Sequence, residues 1–221
     1  MVRVAGIAAA LALVPAMGTC HADAGDVMSV IMSLPSPNGL RARGPMGGST
    51  FQMHLRYDSG LRQDITSNGR DRFFAVARSG SHVFRSYELL SARGAVLYSS
   101  TDGGAWEKID LFRLATRMPQ RKKPSSGAGA TGRAASRNVP GQWLPDRTVA
   151  GRTYHVYGEF KPSSGGRARS LVVKCLVDMS GLLRSCVRPG LYSVTIDHYD
   201  DPRNDFVLPE AVRNARDVTD L

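Results

Sequence analysis

Four apolar runs that follow one another near the end of the chain constrain its fold most. Residues 152–160, 171–178, 182–187 and 192–199 are rich in Val, Leu, Tyr and Thr, and each is bounded by Gly, Pro, Ser or Asp. Short β-prone runs closed off by turn residues are the pattern of consecutive antiparallel strands. Because strand side chains alternate between faces, Tyr154, Val156 and Phe160 are expected on one face of their strand. The same rule groups Leu171, Val173, Cys175 and Val177, and then Tyr192, Val194 and Ile196. A sheet with one apolar face has to cover it, and that cover is where function is to be sought.

The same alternation occurs earlier. Phe51, Met53, Leu55 and Tyr57 interleave with Gln52, His54, Arg56 and Asp58, a strand with one apolar face. Further strand runs cover 61–66, 72–78, 82–90 and 95–100, separated by Asp58-Ser-Gly60 and Ser67-Asn-Gly69. Asp102-Gly-Gly104 predicts a hairpin turn, with Trp106–Ile109 returning. Asp110 is placed to cap a short helix through Leu111, Phe112, Leu114 and Ala115, and Asp26 another through Val27–Leu34. Residues 210–216 read as a final helical turn or tail. Nine or ten strands with two or three short helices make an α+β fold, a large antiparallel sheet with helices on one side.

At 221 residues the chain suits one domain. Its first 24 residues read as a signal peptide: a basic Arg3, an apolar run over 4–14 too short to span a bilayer, and a small-residue cleavage site at Ala22-Asp-Ala24. The mature domain is then 25–221, in the periplasm. Cys20 raises a competing possibility, an acylated outer-membrane lipoprotein, but Thr19 and Met17 stand where a small residue and Leu are wanted. Arg3 and Asp23 cancel, so the net charge of +10 belongs to the mature chain. Such an excess attracts an anionic surface or simply aids solubility, and export argues against nucleic acid.

Cys175 and Cys186 flank the turn at Asp178–Gly181, and in an oxidising compartment they are expected to form a disulfide. Residues 118–141 carry Arg121, Lys122, Lys123, Arg133 and Arg137, no acid and few large apolar groups. Such a composition predicts a disordered basic loop, either a tether to anionic lipid or a solvated insertion.

The order of these elements, with the Asp-Gly-Gly-x-Trp106 turn, Gly151–Tyr157, the Leu-Val-Asp-Met-Ser-Gly-Leu-Leu183 hairpin and the closing His198–Pro209 segment, resembles the outer-membrane lipoprotein carrier superfamily, the LolA/LolB-like group of periplasmic lipid-binding proteins. The resemblance implies a large curved antiparallel sheet, a half-open β-barrel covered by a few short helices. It also implies a non-catalytic carrier with an apolar cavity for a lipoprotein acyl chain or other lipid, acting as a monomer without cofactor. A protein-interaction or regulatory module is the alternative, and a secreted hydrolase a distant third. Fold analogy and alternation together give the lining as Phe51, Met53, Leu55 and Tyr57 on one strand and Val83, Tyr87 and Leu89 on another. Trp106, Tyr154, Val156, Val194 and Ile196 complete it, all expected on one broad apolar surface.

Catalytic motifs do not emerge. His54, His82, His155 and His198 fall on different runs without metal-site spacing. The acidic group Asp197, Asp200, Asp201 and Asp205 lacks a calcium-loop pattern and reads as a turn.

Overall fold

The computed structural model describes residues 49–117, 139–162 and 169–220. The signal segment, the helix expected at Val27–Leu34 and nearly all of the basic loop lie outside them.

Among the described residues, twelve strands form a single open sheet. They are β1 (Phe51–Tyr57), β2 (Arg62–Ser67), β3 (Arg72–Ser79), β4 (His82–Ser91), β5 (Gly94–Thr101), β6 (Glu107–Asp110), β7 (Val139–Val149), β8 (Arg152–Pro162), β9 (Arg169–Asp178), β10 (Leu183–Arg188), β11 (Tyr192–Asp197) and β12 (Arg216–Asp217). Their order across the sheet is β12-β6-β5-β4-β3-β2-β1-β11-β10-β9-β8-β7. Every pairing is antiparallel except β12 on β6. The meander breaks twice, where β11 returns to pair with β1 and joins the two halves, and where β12 adds to β6. The described helices are short: α1 (Leu111–Arg117) and α2 (Glu210–Arg213).

Local chemistry accounts for the connections. Asp110 Oδ1 accepts from the backbone N–H groups of Phe112 and Arg113, satisfying donors at the start of α1 as the cap predicted. Asp178 Oδ1 accepts from the N–H groups of Ser180 and Leu182 and from the Ser180 hydroxyl, while its Oδ2 receives Arg184 Nε at 2.7 Å. Burial alone would raise the Asp178 carboxyl, but these donors outweigh it and hold it below the ordinary carboxylate range. Directly beyond that turn Cys175 and Cys186 are bonded, opposite each other in the β9–β10 ladder even though the register shifts beside Arg184.

Opposed residues in a ladder share a face, so the pairings sort every strand residue. Met53 lies opposite Ile65 and Ile196, and Leu55 opposite Gln63 and Val194. Cys186 lies opposite Val194 and Cys175, and Tyr157 opposite Cys175. This inner face holds the core, a cluster running from Phe73 on β3 through β2, β1, β11, β10 and β9 to Tyr157 on β8.

Two sequence expectations are corrected. Residues 139–141, assigned to the loop, begin β7, an edge strand whose Pro140 and Pro145 hid it; proline is tolerated at an edge because no ladder donor is needed there. Leu171 does not share a face with Val173. The ladder places Glu159 opposite Val173 but Phe160 opposite Leu171, so Val172 is an extra residue that turns Leu171 outward, where it is 40% exposed. The final helical turn expected over 210–216 is α2, and the small strand β12 follows it.

Candidate functional site

The twelve residues expected to line one surface divide evenly between two. Phe51, Met53, Leu55, Tyr57, Val194 and Ile196 stand on the inner face and are buried. Val83, Tyr87 and Leu89 stand on the outer face, because the β3–β4 ladder sets Phe74 opposite Tyr87 and buried Phe73 opposite Glu88. Tyr154 and Val156 also face outward, since it is Tyr157 that opposes Cys175. Trp106 joins the outer group with its ring 5.5 Å from Tyr87. In β4 and β8 apolar residues occur at both parities, so composition alone does not choose the face; the ladder does.

On the outer face Tyr87 stacks on Phe74 with ring centroids 4.6 Å apart, and Phe206 packs against both. Phe206 belongs to the segment after β11, which crosses this face. His198 and Asp200 take positive φ of 47° and 56° as the chain turns, and Asp201 caps a 3-10 turn at Pro202–Asn204. Asn204 is fully buried and bonds Gln52, Thr50 and the His198 carbonyl. Arg72 Nη1 then donates to the Phe206 carbonyl at 3.0 Å. The acidic group is therefore turn and strap chemistry, as its composition indicated.

The inner face is apolar but not uniformly so. Phe51, Met53, Leu55, Val194 and Ile196 are each at most 1% exposed. Side chains that touch solvent-reachable space show exposed area, so these five are enclosed on all sides. At the margins the cluster is looser. Phe84 and Leu90 on β4 and Trp143 on β7 are half-buried against it. Trp143 meets Tyr157 edge-on at 5.3 Å, and its buried Nε1 has no acceptor among the described residues. Gly141 is required opposite: a side chain there would collide with the Tyr157 hydroxyl. Glu159, two residues along β8, shares the inner face with Tyr157. Burial pushes the Glu159 carboxyl above its ordinary range, and burial with the nearby Glu159 charge raises the Tyr157 phenol. Neither Trp143 nor Glu159 stood out in the sequence: Trp143 lies on the unrecognised edge strand β7, and Glu159 is a polar residue of β8 next to it.

Each described histidine is held by an aspartate: His54 by Asp64, His82 by Asp102, His155 by Asp146 and His198 by Asp197, at 2.7–2.9 Å. Among the described residues no three His, Cys, Asp or Glu side chains are grouped to hold a metal ion.

No family model matches the chain, and no curated protein matches it. Among solved structures the sheet is similar to the Mycobacterium tuberculosis lipoprotein LppX, at 13% identity and a TM-score of 0.40, over 72% of this chain and 90% of that one. It is also similar to LprF from Mycobacterium bovis, at 12% identity and a TM-score of 0.38, over 76% of this chain and 91% of that one. Likeness at this level is one of outline.

Proposed function

We propose that this protein is an exported, non-catalytic binder of an apolar or amphiphilic ligand, such as an acyl chain, taken up on the inner face of the sheet. The observation that carries the reading is the looser β7–β8 margin of the apolar cluster, where Trp143 is half-buried with an Nε1 that has no acceptor among the described residues, beside the desolvated Glu159 carboxyl. Ligand sites combine apolar lining with a few convergent polar groups, and this margin offers both. Entry is at the looser β7–β8 margin, where Trp143, Tyr157 and Glu159 offer polar atoms to the head of an amphiphile while its chain meets the apolar face. The Cys175–Cys186 bond supports export, since such bonds persist in oxidising compartments.

The enclosed packing of Phe51, Met53 and Leu55 favours one second reading, an interaction module whose inner face is only core. The chain's two tryptophans separate the readings, with Trp143 at the inner margin and Trp106 on the outer face. Brominated fatty acid is titrated against W106F and W143F. Saturable quenching of Trp143 at about one ligand per chain, with Trp106 unaffected, supports the binder. Absent quenching, or equal quenching of both, overturns it in favour of the module.

A further inference from the structure

One rung of the outer face is cationic. The β1–β2 ladder sets Arg56 directly opposite Arg62, and the β2–β3 ladder sets Arg62 directly opposite Arg78. In the other direction the rung continues from Arg56 to Ser193, Val187 and Lys174. Three arginines on adjacent strands therefore project side by side, with strands about 4.8 Å apart. All three are exposed, as is Arg85 on the same face of β4.

Acids near the rung are few and mostly committed. Asp64 binds Arg78 at 2.8 Å and also takes His54. Asp102 holds His82 and the Val83 N–H. Asp58 lies in the adjoining turn. Among the described residues no carboxylate forms an ion pair with Arg56, Arg62 or Arg85. Like charges directly opposite each other destabilise a sheet, so the rung costs the fold stability and gains it back only against an anion.

The setting favours a broad partner. The 198–209 strap crosses the other end of these strands, while Arg56, Arg62 and Arg78 at this end are exposed. At that end a Cβ placed on Gly60, Gly80, Gly103 or Gly190 would meet nothing within 4 Å, so the bordering turns stand clear. Val187, within the rung, is 41% exposed. Guanidinium groups that can bond phosphate with two parallel donors, beside an exposed aliphatic, match a phospholipid headgroup layer. A single-stranded nucleic acid would want stacking aromatics, which the rung lacks.

We propose that Arg56, Arg62 and Arg78 seat the protein on an anionic phospholipid surface. The site is separate from the inner face and does not depend on the ligand reading. Full-length protein is co-sedimented with vesicles of phosphatidylcholine, with and without phosphatidylglycerol. Binding is expected only with phosphatidylglycerol and to weaken with salt. R56Q/R62Q, which leaves the Arg78–Asp64 pair intact, is expected to lower partitioning roughly 30-fold, from about 1 kcal/mol for each basic residue near such a surface. Its thermal midpoint should be unchanged or higher, and R56K/R62K should retain most of the binding. Glutamine at Arg121, Lys122, Lys123, Arg133 and Arg137 tests the basic segment separately. Wild-type protein that ignores anionic vesicles overturns the proposal, as does R56Q/R62Q binding like wild type, or loss through the basic-segment variant alone. Equal binding to a short DNA duplex, lost in R56Q/R62Q, would instead make the rung a nucleic-acid seat.

Discussion

Gln52 Nε2 donates to Asn204 Oδ1 at 3.0 Å, tying the first strand to a residue 152 positions later. The Asn204 amide in turn donates to Thr50 Oγ1 and to the His198 carbonyl, and the residue is wholly enclosed. Asn204→Ala strands all three partners, with an expected cost of about 2–3 kcal/mol. Asn204→Asp should be worse, because a carboxylate cannot donate to the carbonyl. Urea denaturation reads the loss, and trypsin should cut sooner after Arg203. A variant as stable as wild type would mean the strap is not anchored there.

Phe206 extends that anchor across the outer face, where it meets Phe74 and Tyr87. Burial here also raises the Tyr87 phenol. Phe206→Ala should cost about 1–2 kcal/mol, the transfer of part of an aromatic side chain back to water. The loss should leave quenching of Trp143 by brominated fatty acid intact while altering the emission of Trp106, whose ring packs on Tyr87. Equal changes at both tryptophans would show that the two faces are not independent.

Much of this architecture was legible in the chain. Phe51 to Tyr57 alternate without ambiguity, Asp110 caps where a cap was needed, and the Cys175–Cys186 spacing around a four-residue turn matches the pairing found. Face assignments failed where both parities are apolar. In β4, Val83 and Tyr87 compete with Phe84 and Leu90, and only the turn at Gly80, which sets Arg78 opposite Val83, decides. Ser79-Gly80 marks that turn in the sequence, and pairing outward from it and from Asp58-Ser-Gly60 aligns the arginine rung as well. The bulge at Val172 and the course of the strap were not, because neither leaves a periodic signature. Trp143 was lost with β7, whose prolines argue against a strand anywhere but at an edge.

Cys175 and Cys186 are almost wholly buried, so the bond links core positions, not surface ones. Reduction should lower stability by at most about 3 kcal/mol, the chain-entropy contribution of a short loop. C175A/C186A should fold, with an additional loss from the emptied volume. Denaturation with and without reductant measures the first effect, and comparison with the double variant the second. Collapse of the fold on reduction would show that the β9–β10 hairpin depends on the bond to form.

Glu159 gives the inner face a pH dependence whose sign follows from its burial. Its folded carboxyl is raised by desolvation, so the folded protein binds a proton more tightly than the unfolded chain does. Below the ordinary carboxylate value both states are protonated and Glu159 costs nothing. As pH rises from there through the raised folded value, ionisation destabilises the fold, and the penalty is complete above it. Glu159→Gln removes the penalty. Its denaturation midpoint should match wild type near pH 4 and exceed it at pH 7. An apolar ligand covering the inner face would desolvate the carboxyl further, so wild type should bind a fatty-alcohol probe, which carries no charge of its own, more tightly at low pH. Glu159→Gln should flatten that slope. A pH-independent gain in stability would assign the effect to packing, and an unchanged binding slope would place the ligand away from Glu159.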